Sequence, residues 1–145
     1  MNHILVIDDE DAVRTLLRNY LESEGYSVCM ARDGKQALQL FDQYPADLII
    51  TDVFMPEQDG LEVLAALRRK RSAIPVIVIS GGGRMYVHDV LHIAKTLGAT
   101  RVLDKPIALE LLLTTVQELL PPAPPQGEPS FPGRIPPAAP LNRRA

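Results

Sequence analysis

Five short apolar runs recur along the chain: HILVI (3–7), YSVCMA (26–31), DLIIT (47–51), PVIVIS (75–80) and TRVL (100–103). Together they are rich in β-branched residues, and they are continuous rather than alternating, the pattern of strands covered on both faces. Between the runs, apolar positions recur at helical spacing. Val13, Leu16, Leu17, Tyr20 and Leu21 form one stripe; Ala37, Leu38 and Phe41 a second; Leu61, Leu64 and Leu67 a third. Val87, Val90, Leu91, Ala94 and Leu97 form a fourth, and Leu109, Leu112, Leu113 and Val116 a fifth. Asp33 is placed to cap the second helix, and Gly25 and Gly98 to stop the first and fourth. Five strand–helix units in alternation predict an α/β fold: a doubly wound five-stranded parallel sheet with right-handed crossovers and helices on both faces.

The pattern stops at Pro121. Nine of the chain's 13 prolines fall in residues 121–145, PPAPPQGEPSFPGRIPPAAPLNRRA. Proline fixes its own φ and lacks a donor N–H, so neither helix nor central strand is expected there. Residues 1–120 are therefore expected to form one folded domain, and 121–145 an extended or disordered proline-rich tail. The tail carries +2 (Arg134, Arg143 and Arg144 against Glu128), which leaves −5 of the total −3 on the folded part.

That acidic balance argues against direct binding of nucleic acid. No stretch approaches the roughly 18 apolar residues of a membrane span. MNHILVIDD enters the first apolar run without a basic flank or cleavage site, so no signal peptide is expected and a cytoplasmic location is the default. Cys29 is the single cysteine, which excludes an internal disulfide; it is expected to pack as a small apolar residue.

Candidate chemistry lies where the strands end. Asp8 and Asp9 follow the first run, Asp52 the third, Ser80 closes the fourth, and Lys105 follows the fifth. In a parallel sheet these ends lie on one edge, where open α/β sheets bind ligands near the switch point. Three carboxylates gathered there would raise one another's pKa values. A hard divalent cation such as Mg²⁺, with oxygen ligands, removes that conflict. A lysine on the same edge adds a charge suited to a phosphoryl group. Together these groups suit a carboxylate nucleophile that forms an aspartyl phosphate.

VIDDED, DLIITDVFMPEQDG, VIVISG and VLDKP occur in this order, with ARDGKQAL as a weaker match. Together they resemble the receiver domain of two-component response regulators, the CheY-like group of flavodoxin-like folds, over residues 3 to about 119. The resemblance implies sheet order 2-1-3-4-5. It implies that Asp52 is the phosphoacceptor. It implies also that Asp9 and Asp52 ligate Mg²⁺, that Asp8 helps through water, and that the backbone carbonyl of Phe54 is a further ligand. Ser80 matches the hydroxyl that bonds the phosphoryl group, Lys105 the lysine that pairs with it, and Pro106 a proline whose peptide bond is cis. The implied partners are a sensor histidine kinase or histidine phosphotransfer protein and a downstream protein. The implied role is signalling rather than enzymatic turnover: the domain promotes only its own phosphorylation and dephosphorylation. The partner surface would be that of the fourth helix, fifth strand and fifth helix.

The sequence departs from the pattern at Val102, where an aromatic residue is usual, and at Ile107, where Phe is common. Gly81, Gly82 and Gly83 follow the serine, and no output domain is expected beyond the proline-rich stretch. Two other readings stand beside the receiver. A degenerate receiver would bind partners without phosphorylation. A haloacid-dehalogenase-like phosphatase would use Asp9 as nucleophile and Asp11 as acid–base catalyst, from DEDAV at 9–13. It would lack the paired acids of that family's last motif. Asp8, Glu10 and Asp11 also suit a helix N-terminus. Asp59-Gly60 reads as a turn, and His88 and His92 as a solvated face rather than a metal pair.

Overall fold

The computed structural model describes residues 2–53, 60–70, 72–80, 92 and 94–120. The strands are β1 (His3–Ile7), β2 (Ser27–Ala31), β3 (Leu48–Asp52), β4 (Val76–Ser80) and β5 (Arg101–Asp104). The helices are α1 (Asp11–Ser23), α2 (Gly34–Gln43), α3 (Gly60–Arg69) and α4 (Leu109–Leu119), the last corresponding to the fifth apolar stripe. His92 and residues 94–96 are also helical. All strand pairs are parallel, and the order is β2-β1-β3-β4-β5. This is the doubly wound arrangement expected from the sequence. The tail at 121–145, the three glycines at 81–83, and Val87, His88, Val90 and Leu91 lie outside the described residues.

Alternation along each strand builds two cores. Leu5, Ile7, Ile49, Val76 and Val78 face one side, where Ala37 of α2 and Val63, Leu64 and Leu67 of α3 cover them. Ile4, Val6, Leu48, Ile50, Ile77 and Ile79 face the other, beneath Leu17 and Leu21 of α1 and Leu112 and Val116 of α4. Successive strand residues point to opposite faces. A strand covered on both faces must therefore be apolar throughout, which is why β1, β3 and β4 read as continuous runs. The edge strand β5 departs from that expectation: Arg101 and Asp104 are exposed, and Val102 and Leu103 only half-buried. Leu16 also departs, being 51% exposed. At about 100° per residue, Val13, Leu17, Tyr20 and Leu21 share an arc about 100° wide, and Leu16 falls about 40° outside it.

Local signals end the elements as expected. The Asp33 side chain accepts from Gln36 N at 2.8 Å, while Gln36 Oε1 accepts from Arg32 N at 2.8 Å. Gly25 and Gly98 take φ of +97° and +98°, the left-handed geometry that glycine adopts without a Cβ penalty. Cys29 is half-buried against the first core. At the edge of the sheet away from the strand C-termini, Arg68 donates to the carbonyls of Ser72 and Gly98, each at 2.6 Å. That ties the end of α3 to two loops.

Candidate functional site

The strand register sets the site. Ile7 pairs with Thr51, so Asp8 and Asp52 are each one residue beyond the same rung. Asp52 pairs with Ile79, and Ser80 with Asp104, which brings Ser80 and Lys105 to the same edge. Asp8, Asp52 and Ser80 are buried, Lys105 is half-buried and Asp9 is exposed.

The contacts assign the carboxylate oxygens. Asp52 Oδ1 accepts from Val53 N at 2.9 Å, and its Oδ2 accepts from Lys105 Nζ at 3.3 Å. Asp8 Oδ1 accepts from Glu10 N at 2.9 Å, and its Oδ2 lies 3.8 Å from Lys105 Nζ. Lys105 N donates to the Ser80 carbonyl at 3.0 Å, which anchors the lysine's backbone to β4. The Lys105–Pro106 peptide is cis, as the resemblance implied.

Charge in this pocket is unbalanced. Burial raises the pKa of Asp52, Lys105 opposes that rise, and the Asp8 charge adds to it. Burial likewise raises Asp8, against the Glu10 N–H and Lys105, with Asp9 and Glu10 adding to the rise. For Lys105, burial works against the ammonium, but Asp52 and Asp8 outweigh it and its pKa is raised. The ammonium is therefore held charged, and it faces two buried carboxylates, those of Asp52 and Asp8.

Oxygens from Asp8, Asp9 and Asp52 lie within 4.8 Å of one another. Oxygens bound to one Mg²⁺ at 2.0–2.1 Å stand at most about 4.2 Å apart, so a small inward shift suffices. The donors are all hard oxygens, and they fit a hard divalent cation. Among the described residues no other group of three or more potential ligands is present. His92 is exposed, while His88, Phe54 and Asp59 lie outside the described residues. The helix-dipole reading suits Asp11, in the first turn of α1. It does not suit Asp8, which is buried against Lys105.

Two contributors were missed in the sequence. Gly60, read as part of a turn, donates its N–H to the Val53 carbonyl at 2.9 Å, and its Cα lies against the Asp52 carbonyl. Arg14, read as nothing in particular, donates to the Asp8 carbonyl at 2.6 Å. A charged residue three after Asp11 was visible as a helical pair; its contact with a main-chain oxygen was not.

The response regulator receiver domain family matches residues 4–117. The chain belongs to this family. It is 42% identical over 117 residues to the response regulator MprA of Mycolicibacterium vanbaalenii, covering 81% of this chain and 49% of that protein. The receiver thus spans about half the length of the curated relatives it matches. Among solved structures it is similar to the chemotaxis protein CheY4 of Vibrio cholerae, with TM-score 0.74 and 31% identity over 83% of this chain and 99% of that one. It is similar also to the response regulator TrrA of Thermotoga maritima in complex with Mg(2+)-BeF, with TM-score 0.73 and 33% identity over 83% of this chain and 100% of that one. The flavodoxin-like, CheY-like fold and the place in two-component signalling follow. No helix among the described residues is long and apolar enough to cross a membrane.

Proposed function

We propose that this receiver accepts a phosphoryl group on Asp52 from a histidine kinase or a histidine phosphotransfer protein, with Mg²⁺ as cofactor. The observation that carries the reading is the 3.3 Å contact of Lys105 Nζ with Asp52 Oδ2, inside a cluster of three acids whose oxygens lie within 4.8 Å. Asp8, Asp9 and Asp52 are the residues that would hold the ion, with the Phe54 carbonyl as a further ligand. Bound there, Mg²⁺ neutralises charge on the acids and on the transferring phosphoryl oxygens. TrrA, described in complex with Mg(2+)-BeF, supports such a site in this fold.

The chain's own groups divide the work. An Asp52 carboxylate oxygen attacks phosphorus; the P–O bond forms as the P–N bond of phosphohistidine breaks, and the imidazole leaves with the electron pair. Lys105 pairs with a phosphoryl oxygen and holds Asp52 ionised against the effect of burial. The Ser80 hydroxyl, at the end of the adjacent strand, donates to another phosphoryl oxygen. The charge change then alters the surface around β5 and α4 for a downstream protein. The domain is a phosphoacceptor rather than a turnover enzyme, and a cytoplasmic setting without direct nucleic-acid contact fits this role.

Incubation with acetyl phosphate or a phosphorylated histidine kinase and Mg²⁺ tests the reading. Borohydride trapping and mass spectrometry should find one adduct, on Asp52, and Asp52→Asn should abolish it. Label on Asp9, or phosphomonoester turnover that survives Asp52→Asn, would favour the phosphatase. Partner binding with no adduct at all would favour the degenerate receiver.

A further inference from the structure

Arg14 reaches back from α1 to the loop that carries two of the three acids. Its Nη1 donates to the Asp8 carbonyl at 2.6 Å, and its Nη2 pairs with Asp11. The Arg14 side chain is only 15% exposed, so the guanidinium sits in the loop rather than in solvent. The carbonyl it holds belongs to the planar peptide that joins Asp8 to Asp9. Fixing that plane places the Asp9 Cα and its N–Cα bond, the axis about which the Asp9 side chain leaves the backbone. Asp9 is exposed, so its own surroundings do little to hold it. The rest of the loop is already tied: Asp8 N donates to Ala31 O at 3.1 Å, Glu10 N to Asp8 Oδ1, and Arg14 N to Glu10 O at 3.1 Å.

We propose that Arg14 is a positioning residue for the cation: it presets the Asp8–Asp9 peptide so that both acids meet the ion with Asp52. The proposal rests on the Mg²⁺ site described above. A simple charge effect predicts the opposite outcome. A guanidinium near the pocket repels a second cation, so removing it would tighten Mg²⁺ binding, whereas removing a positioning group weakens it.

Calorimetric titration of the full chain with Mg²⁺ separates the two. Arg14→Met keeps an apolar stem and deletes the fork. It should raise the Mg²⁺ dissociation constant about tenfold, the low end for groups that orient metal ligands. Acetyl phosphate labelling should need correspondingly more Mg²⁺ to reach half its maximal rate and should recover when Mg²⁺ saturates. Arg14→Lys keeps the charge without the two-pronged geometry, so it should restore little of the affinity. It also carries the test should Arg14→Met fail to fold by circular dichroism. Unchanged or tighter Mg²⁺ binding in these variants overturns the proposal alone. A wild-type chain that binds no Mg²⁺ at millimolar concentration overturns both it and the site beneath it.

Discussion

Gly60 leaves no room for a side chain beside Asp52: a Cβ built on it would stand 2.2 Å from the Asp52 carbonyl oxygen and 3.2 Å from Thr51 Oγ1. That hydroxyl itself donates to the Asp52 carbonyl at 2.9 Å. The backbone behind the carboxylate is thus wedged between a hydroxyl and a bare Cα. Gly60→Ala must displace backbone rather than a flexible side-chain end. The expected cost is about 1–3 kcal/mol, read as a lower urea midpoint at unchanged m-value. Labelling of Asp52 should slow as well. Gly25→Ala is the control. It meets nothing within 4 Å but carries φ of +97°, so it should lose about 1–2 kcal/mol from strain while labelling holds.

The buried acids make the metal-free protein sensitive to pH in a definite direction. Asp52 and Asp8 both have folded pKa values above the ordinary 3.8. Between 3.8 and the raised values, the native state binds more protons than the unfolded chain. Stability therefore falls as pH rises through that window, the reverse of a salt-bridged carboxylate. In EDTA at neutral pH, Asp52→Asn should melt a few degrees above wild type, and the gap should narrow as pH approaches 3.8. A variant that melts lower at neutral pH would mean that the Lys105 contact outweighs burial.

Lys105 bears the opposite sign. Its pKa is raised above 10.5, so its contribution is fully present below that value and lost as pH rises beyond the raised one. Lys105→Met removes the only cation within 4 Å of the Asp52 and Asp8 carboxylates among the described residues. The carboxyls should protonate more readily, and acetyl phosphate labelling at pH 7 should fall by about a hundredfold, the low end of what is lost with one charge-stabilising donor. Labelling at the wild-type rate would remove Lys105 from the proposed mechanism.

Cation binding should show in thermal melts. A ligand that binds only the native state stabilises it by about 2.7 kcal/mol at a hundred times its dissociation constant. Wild type should show a Mg²⁺-dependent rise in melting temperature, and Asp9→Ala should lose most of it. An equal rise in both would place the ion elsewhere.

A domain boundary at 120 is tested by truncation. α4 ends at Leu119, and Leu120 is buried against the second core. A chain of residues 1–120 should keep cooperative unfolding and Asp52 labelling. Loss of the cooperative transition would move the boundary into the proline-rich stretch.

What was legible in the sequence follows from what leaves a pattern in side chains. Strands buried on both faces must be apolar throughout, so the polar residues at their ends, Asp8, Asp52 and Lys105, stand out in the sequence. Asp33, Gly25 and Gly98 were readable because caps and left-handed turns restrict residue type. Leu16 was misplaced because a stripe of five apolar residues is wider than the contact α1 makes with the sheet. Gly60 and Arg14 were missed because both act on main-chain carbonyls, of Asp52 and Asp8, and a carbonyl has no residue type to recognise.

The pairing of Ile7 with Thr51 has a consequence beyond placing two acids side by side. Asp8 and Asp52 continue the alternation of Val6 and Ile50, which both belong to the second core. Sliding β3 by one residue would turn Asp52 to the opposite face and exchange Ile49 and Ile50 between cores. Oil-like packing and acid chemistry are thus read by one ruler with a two-residue graduation. A chain that has buried its isoleucines correctly has already aimed its carboxylates, before any cation or phosphate arrives.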